Sequence, residues 1–189
     1  MNRHLSPPFQ GRRDRYRRLR FLAAVLPAGV LAACGIFDEE GRPPPCPIAA
    51  VVGDARTLAL YAPGPGRDLT DVRFEAAIGA TVVACEFDEN ELTAELRVEI
   101  IAQRGPADRD RRGNFEYFVA IADRDRNILA KERFTMAIEF PGNRTRVGVF
   151  EELEQTIYLK PGESGDDYDI YVGFQLSEDQ LRENRARAR

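Results

Sequence analysis

The stretch Leu92-Thr93-Ala94-Glu95-Leu96-Arg97-Val98-Glu99-Ile100 alternates apolar and polar side chains without a break. In an extended chain successive side chains point to opposite faces. This spacing therefore predicts a strand that lays one apolar face on a core and turns the other to water. Wound into a helix, the same residues would be scattered around the axis and could cover nothing.

The period continues on both sides. Val72, Phe74, Ala76 and Ile78 repeat it, as do Phe134, Met136, Ile138 and Phe140, and then Tyr168, Ile170, Val172, Phe174 and Leu176. Residues 115–122 are apolar on both faces and read as a central strand. Further strands are expected at 56–61, 81–87, 128–134 and 146–159. Turn-forming residues separate these runs: Pro63-Gly64-Pro65-Gly66, Asp88-Glu89-Asn90, residues 105–114, residues 123–127, Pro141-Gly142-Asn143 and residues 161–167. With no amphipathic helix between strands, the chain reads as all-β, an antiparallel β-sandwich of about seven strands. Immunoglobulin-like is the expected arrangement and a barrel the alternative.

The last residues change character. Ser177-Glu178-Asp179-Gln180 is a capping box, in which the serine accepts from the third helical amide and the glutamine reaches back. A short C-terminal helix should follow. Its acids lie in the first turn and Arg182, Arg185, Arg187 and Arg189 lie towards its end, which suits the helix dipole. That arrangement favours a dipole-compatible terminus over a basic docking arm.

The N-terminal third-of-a-hundred residues belong to a different object. Seven of the chain's 27 basic residues, all Arg, fall in residues 1–33 beside a single acid, Asp14. Without them, 20 basic and 30 acidic residues remain, a net charge of −10. So acidic a body is repelled by phosphate backbones, which argues against nucleic-acid binding. The basic stretch ends at Arg17-Arg18-Leu19-Arg20 and is followed by an apolar run from Phe21 to Ala33. A membrane-spanning helix needs about 20 apolar residues, so this shorter run suits a secretory signal instead.

The junction Leu31-Ala32-Ala33-Cys34 resembles the lipobox of bacterial lipoproteins. The resemblance implies a signal peptide over 1–33, a diacylglycerol attached to the Cys34 thiol, cleavage before that cysteine, and frequent acylation (palmitate) of the new amine. It divides the rest into a tether at 34–46, a β-sandwich domain at 47–176 and a helix with tail at 177–189. In the same family an Asp directly after the cysteine favours inner-membrane retention. Gly35 therefore implies the outer membrane, on its periplasmic face. The closing segment Tyr171-Val172-Gly173-Phe174-Gln175-Leu176 also looks like part of envelope lipoproteins but brings no activity with it.

With Cys34 lipidated, Cys46 and Cys85 are left in an oxidising compartment and are expected to form a disulfide. The tether between Cys34 and Cys46 is proline-ended and reaches at most about 40 Å, so any partner should lie near the same leaflet.

Few residues are suited to catalysis. The one histidine is His4, in the leader; beyond it the serines are Ser164 and Ser177 and the lysines Lys131 and Lys160. No phosphate-binding or dinucleotide motif is present, and no cofactor is expected. Asp123, Asp125 and Asn127 have the spacing that opens an EF-hand loop, but Ile128 stands where the loop needs Gly and Phe134 where it needs Glu. A hairpin turn is the stronger reading of that segment. Tyr171, beside Asp169, is the tyrosine expected at an exposed contact, whereas Tyr61, Tyr117, Tyr158 and Tyr168 read as core or rim. The expectation is a non-enzymatic, lipid-anchored envelope module that binds another envelope protein. A calcium- or glycan-binding module is the alternative, and a carboxylate-based hydrolase comes third.

Overall fold

The computed structural model describes residues 44–188. The expected signal peptide, the lipobox-like junction with Cys34, and most of the expected tether lie outside them, as does Arg189. The elements run β1 (Ile48–Val51), β2 (Thr57–Tyr61), β3 (Val72–Asp88), β4 (Glu91–Arg104), β5 (Arg112–Asp123), β6 (Ile128–Glu139), β7 (Arg146–Tyr158), β8 (Tyr168–Phe174) and α1 (Glu178–Arg187).

They form two four-stranded sheets, ordered β1-β8-β5-β6 and β2-β3-β4-β7. The expected β-sandwich and its short C-terminal helix are both present. There are eight strands rather than about seven, because the four residues of β1 join the sheet without displaying any alternation of their own. The pairings are antiparallel except one: β1 runs parallel to β8, with Ile48 opposite Asp169 and Val51 opposite Val172. One short parallel pair thus sits at the edge of an otherwise antiparallel sandwich.

Two runs read as separate strands on either side of Gly79-Ala80 are one strand, β3. The ladder with β4 slips between Ile78 and Thr81, a bulge that shifts the alternation by a residue and so hides its continuity. The Glu99 carboxylate on β4 accepts from the Ala80 amide at 3.3 Å, replacing a ladder bond lost at the bulge. A Cβ at Gly79 would lie 2.4 Å from Glu99 Oε2, so the position has to be glycine for the carboxylate to reach. The runs 128–134 and 134–140 likewise make the single strand β6.

The alternation of β4 does what the sequence requires. Leu92, Ala94, Leu96, Val98, Ile100 and Ala102 all point inward and are buried. Against them lie Phe115, Tyr117, Val119 and Ile121 of β5 and Ile170, Val172 and Phe174 of β8. Burying side chains of this size contributes about 1.5–3 kcal/mol each. Phe74 joins the layers, stacked on Phe140 at 5.6 Å and edge-on to Phe115 at 6.1 Å.

The sandwich has two distinct ends. At one, the β3–β4 hairpin, the β5–β6 turn and the 159–167 loop come together. Arg124 there pairs with Asp167. At the other end lie the loops 62–71, 105–111 and 140–145, where Arg104 and the backbone amides of Asp110 and Arg111 bind the buried Asp108 carboxylate. Helix α1 packs along the outside of β2, with Asn184 donating to the Thr57 carbonyl at 2.8 Å and Tyr61 donating to Glu183 at 2.8 Å.

Candidate interaction surface

Cys46 and Cys85 are joined in a disulfide, with 5.9 Å between their Cα atoms. The bond ties the segment leading into β1 to β3 across the two sheets, close to the β3–β4 hairpin. Beside it, a Cβ on Gly165 would lie 2.1 Å from the Pro45 carbonyl oxygen, so the 159–167 loop packs directly against the incoming chain. The chain preceding Cys46 therefore enters at the end that carries the β3–β4 and β5–β6 turns.

Asp123, Asp125 and Asn127 form the β5–β6 turn. The Asp123 carboxylate accepts from the Asn127 backbone amide at 2.8 Å and from its side-chain amide at 2.9 Å. Those bonds hold the Asp123 carboxyl below its ordinary value. Arg126 supplies the left-handed conformation with φ of 65°, and its amide closes the turn on the Asp123 carbonyl at 2.9 Å. The Asp123 carboxylate is thus engaged in local turn chemistry. Among the described residues no group of three or more His, Cys, Asp or Glu side chains is placed to hold a metal ion.

Other polar side chains singled out in the sequence also have structural partners. Ser177 caps α1, accepting from the Gln180 amide at 3.3 Å while Gln180 accepts from the Ser177 amide at 2.8 Å. Lys131 lies over the Phe118 ring at 4.0 Å, and Lys160 pairs with Glu163 at 3.3 Å. Two helix arginines reach their own fold, Arg185 pairing with Asp54 at 2.7 Å and Arg187 donating to the Tyr61 hydroxyl at 2.9 Å, while Arg182 pairs with Glu178 and Asp179 on the helix itself.

The tyrosines fall differently from the sequence expectation. Tyr171 is half-buried and donates to Asp169 at 3.0 Å. Tyr158, at the end of β7, is the exposed one, at 74%. Burial and the Glu151 carboxylate raise the hydroxyl of Tyr117, which donates to that carboxylate at 3.0 Å across the two sheets. Burial and the Glu163 carboxylate push Tyr168 up to about 12. Both are built into the core edge, remote from any nucleophilic role at neutral pH.

What the sequence reading missed is the outer face of the β2-β3-β4-β7 sheet. Its outward positions on β3 are Val82 and Ala84; on β4, Glu95 and Arg97; and on β7, Glu152 and Glu154. Together they line a shallow groove of about 470 Å³. The register sets Glu95 directly opposite Glu154 and Arg97 opposite Glu152. The Arg97 guanidinium lies over the Phe150 ring at 4.3 Å. Val82 and Phe150 are more than half exposed. β7 is the edge of this sheet, so its outer backbone groups are available to a further strand. The alternation showed that these acids face outward. Which strand pairs with which, and therefore that two glutamates meet, is a property of the register alone.

Among the described residues no helix is long and apolar enough to cross a membrane. The chain matches no protein-family model, and it is similar to no curated protein and to no solved structure.

Proposed function

We propose that this chain is a lipid-anchored, non-enzymatic binding module at the periplasmic face of the bacterial outer membrane, and that it holds a basic segment of another envelope protein. The observation that carries the binding role is the groove on the β2-β3-β4-β7 sheet. There Glu95 and Glu154 oppose each other beside exposed Val82 and Phe150. Like charges directly opposite across a ladder are unfavourable, and a cationic side chain laid between them would relieve the repulsion. The apolar residues beside them supply contact area, and the free edge of β7 supplies backbone partners. The anchor is supported by the lipobox at Leu31-Ala32-Ala33-Cys34 and by the short tether that follows it.

The test is photocrosslinking from position 82 in intact cells, using the affinity-tagged, lipidated protein. The proposal expects one envelope protein to be captured in near-stoichiometric amount, with loss in both Cys34→Ser and Glu154→Lys. Capture that is unchanged by Glu154→Lys would overturn the groove. Capture that is unchanged by Cys34→Ser, with the protein still in the membrane fraction, would overturn the anchor.

A further inference from the structure

Exposed large apolar side chains are unevenly placed on this molecule. Ile48 begins β1, Ile128 and Leu129 begin β6, and Tyr158 ends β7; all four are more than half exposed. The pairing of β1 with β8, of β5 with β6 and of β4 with β7 puts these four positions at one end of the sandwich. It is the end from which the tether leaves, where Pro45 meets Gly165 and Cys46 is bonded to Cys85. Among the described residues, the only such residue at the opposite end is Leu69, in the loop before β3.

Length then fixes the orientation. The 17 residues of β3 run from end to end, which at about 3.3 Å per residue makes the sandwich on the order of 50 Å long. Between Cys34 and Cys46 the chain spans at most about 40 Å when fully extended, and about 20 Å as a flexible coil. With the far end on the membrane, Cys46 would be held out of reach of a cysteine anchored in the lipid.

We infer that the tether end of the sandwich rests on the lipid surface, with Ile48, Ile128, Leu129 and Tyr158 in contact with the headgroup layer. This rests on the lipid-anchor reading above. Aliphatic side chains and a tyrosine suit that layer, which accepts apolar bodies and polar tips together. The surface is zwitterionic, because acids at the same end, among them Asp88, Glu89, Asp125 and Asp166, outnumber its cations Arg124, Arg126 and Lys160, and anionic lipid repels the excess.

Single-cysteine labelling of the full-length, lipidated protein tests this. Cys34 carries the lipid and Cys46 is bonded to Cys85, so a cysteine introduced by Leu129→Cys or Leu69→Cys is the free thiol. Leu69 is 81% exposed and Leu129 55%, so both accept a fluorophore without disturbing the core. In phosphatidylcholine–phosphatidylethanolamine vesicles bearing nitroxide headgroups, quenching should be severalfold stronger at 129 than at 69. Adding phosphatidylglycerol should weaken it. Equal quenching at the two positions, or none at 129, in protein that floats with the vesicles overturns the orientation alone. Protein that does not float with them overturns the anchor and the orientation together.

Discussion

Glu95 and Glu154 stand directly opposite each other across the β4–β7 ladder, and Ala84, which completes their row on β3, brings no compensating charge. Arg97, the cation nearest in the groove, is stacked on Phe150. A fold selected for stability alone would place a lysine at one of the two positions. Glu154→Lys should accordingly stabilise the isolated domain by about 0.2–1 kcal/mol, read as a rise in the urea midpoint at unchanged slope. The same substitution should abolish crosslinking from position 82. A variant that is less stable than wild type would show that the pair is not repulsive.

Asp108 offers a sharper test of the loop between β4 and β5. Burial disfavours its charge, but the Arg104 guanidinium and the backbone amides of Asp110 and Arg111 outweigh burial and hold its carboxyl below the usual 3.8. A folded-state value below the unfolded one means that the contribution is fully present above pH 3.8 and is lost as pH falls through the lower folded value. Asp108→Ala should cost about 2–3 kcal/mol at neutral pH, since Arg104 is left without its partner. Acid titrations of wild type and Asp108→Asn should diverge in slope below pH 3.8 and run parallel above it.

Reducing the Cys46–Cys85 bond releases a loop of 39 residues. Loop-closure entropy sets the expected loss at up to about 4 kcal/mol. A Cys46→Ser, Cys85→Ser double variant should lose up to that much unfolding free energy, read as a lower urea midpoint. Alkylation of the denatured, non-reduced domain should find neither Cys46 nor Cys85 free.

Calcium at millimolar concentration should leave the melting temperature of the domain unchanged. The Asp123 carboxylate is already occupied by both amides of Asn127, and Arg124 is drawn to Asp167 beside it. A concentration-dependent rise that Asp123→Asn removes would show that the turn opens to bind the ion.

Side-chain alternation carried most of the fold. β4 and the later half of β6 were legible because each has one buried and one wet face, β8 because its buried Tyr168, Ile170, Val172 and Phe174 fall on every second position, and the capping box marked α1 at its first residue. Legibility failed where a strand owes its existence to a distant partner. Ile48-Ala49-Ala50-Val51 has no alternation and becomes β1 only by pairing with β8, some 120 residues away. It failed again at the Gly79-Ala80 bulge, where a shift of one residue looks like a break. Tyr158 read as core or rim because a strand end offers no pattern to tell wet from dry. The outward acids of β4 and β7 were visible singly, but the meeting of Glu95 with Glu154 depends on how the strands pair, which no local pattern encodes.

The parallel pairing of β1 with β8 also bears on how the molecule is made. Residues 48–51 leave the ribosome well before 168–174, so β1 has no neighbour in its sheet until some 120 further residues have emerged. Meanwhile β2, β3 and β4 can zip together as consecutive hairpins. β5 is left with one side covered by β6 and the other open until β8 arrives. Closure of this sheet is therefore a late, long-range event, and folding should be slow for a domain of this size. Until then the apolar edge of β5 is exposed to any strand that meets it. A chain interrupted before residue 168 would be expected to aggregate, whereas one that lacks only α1 should close.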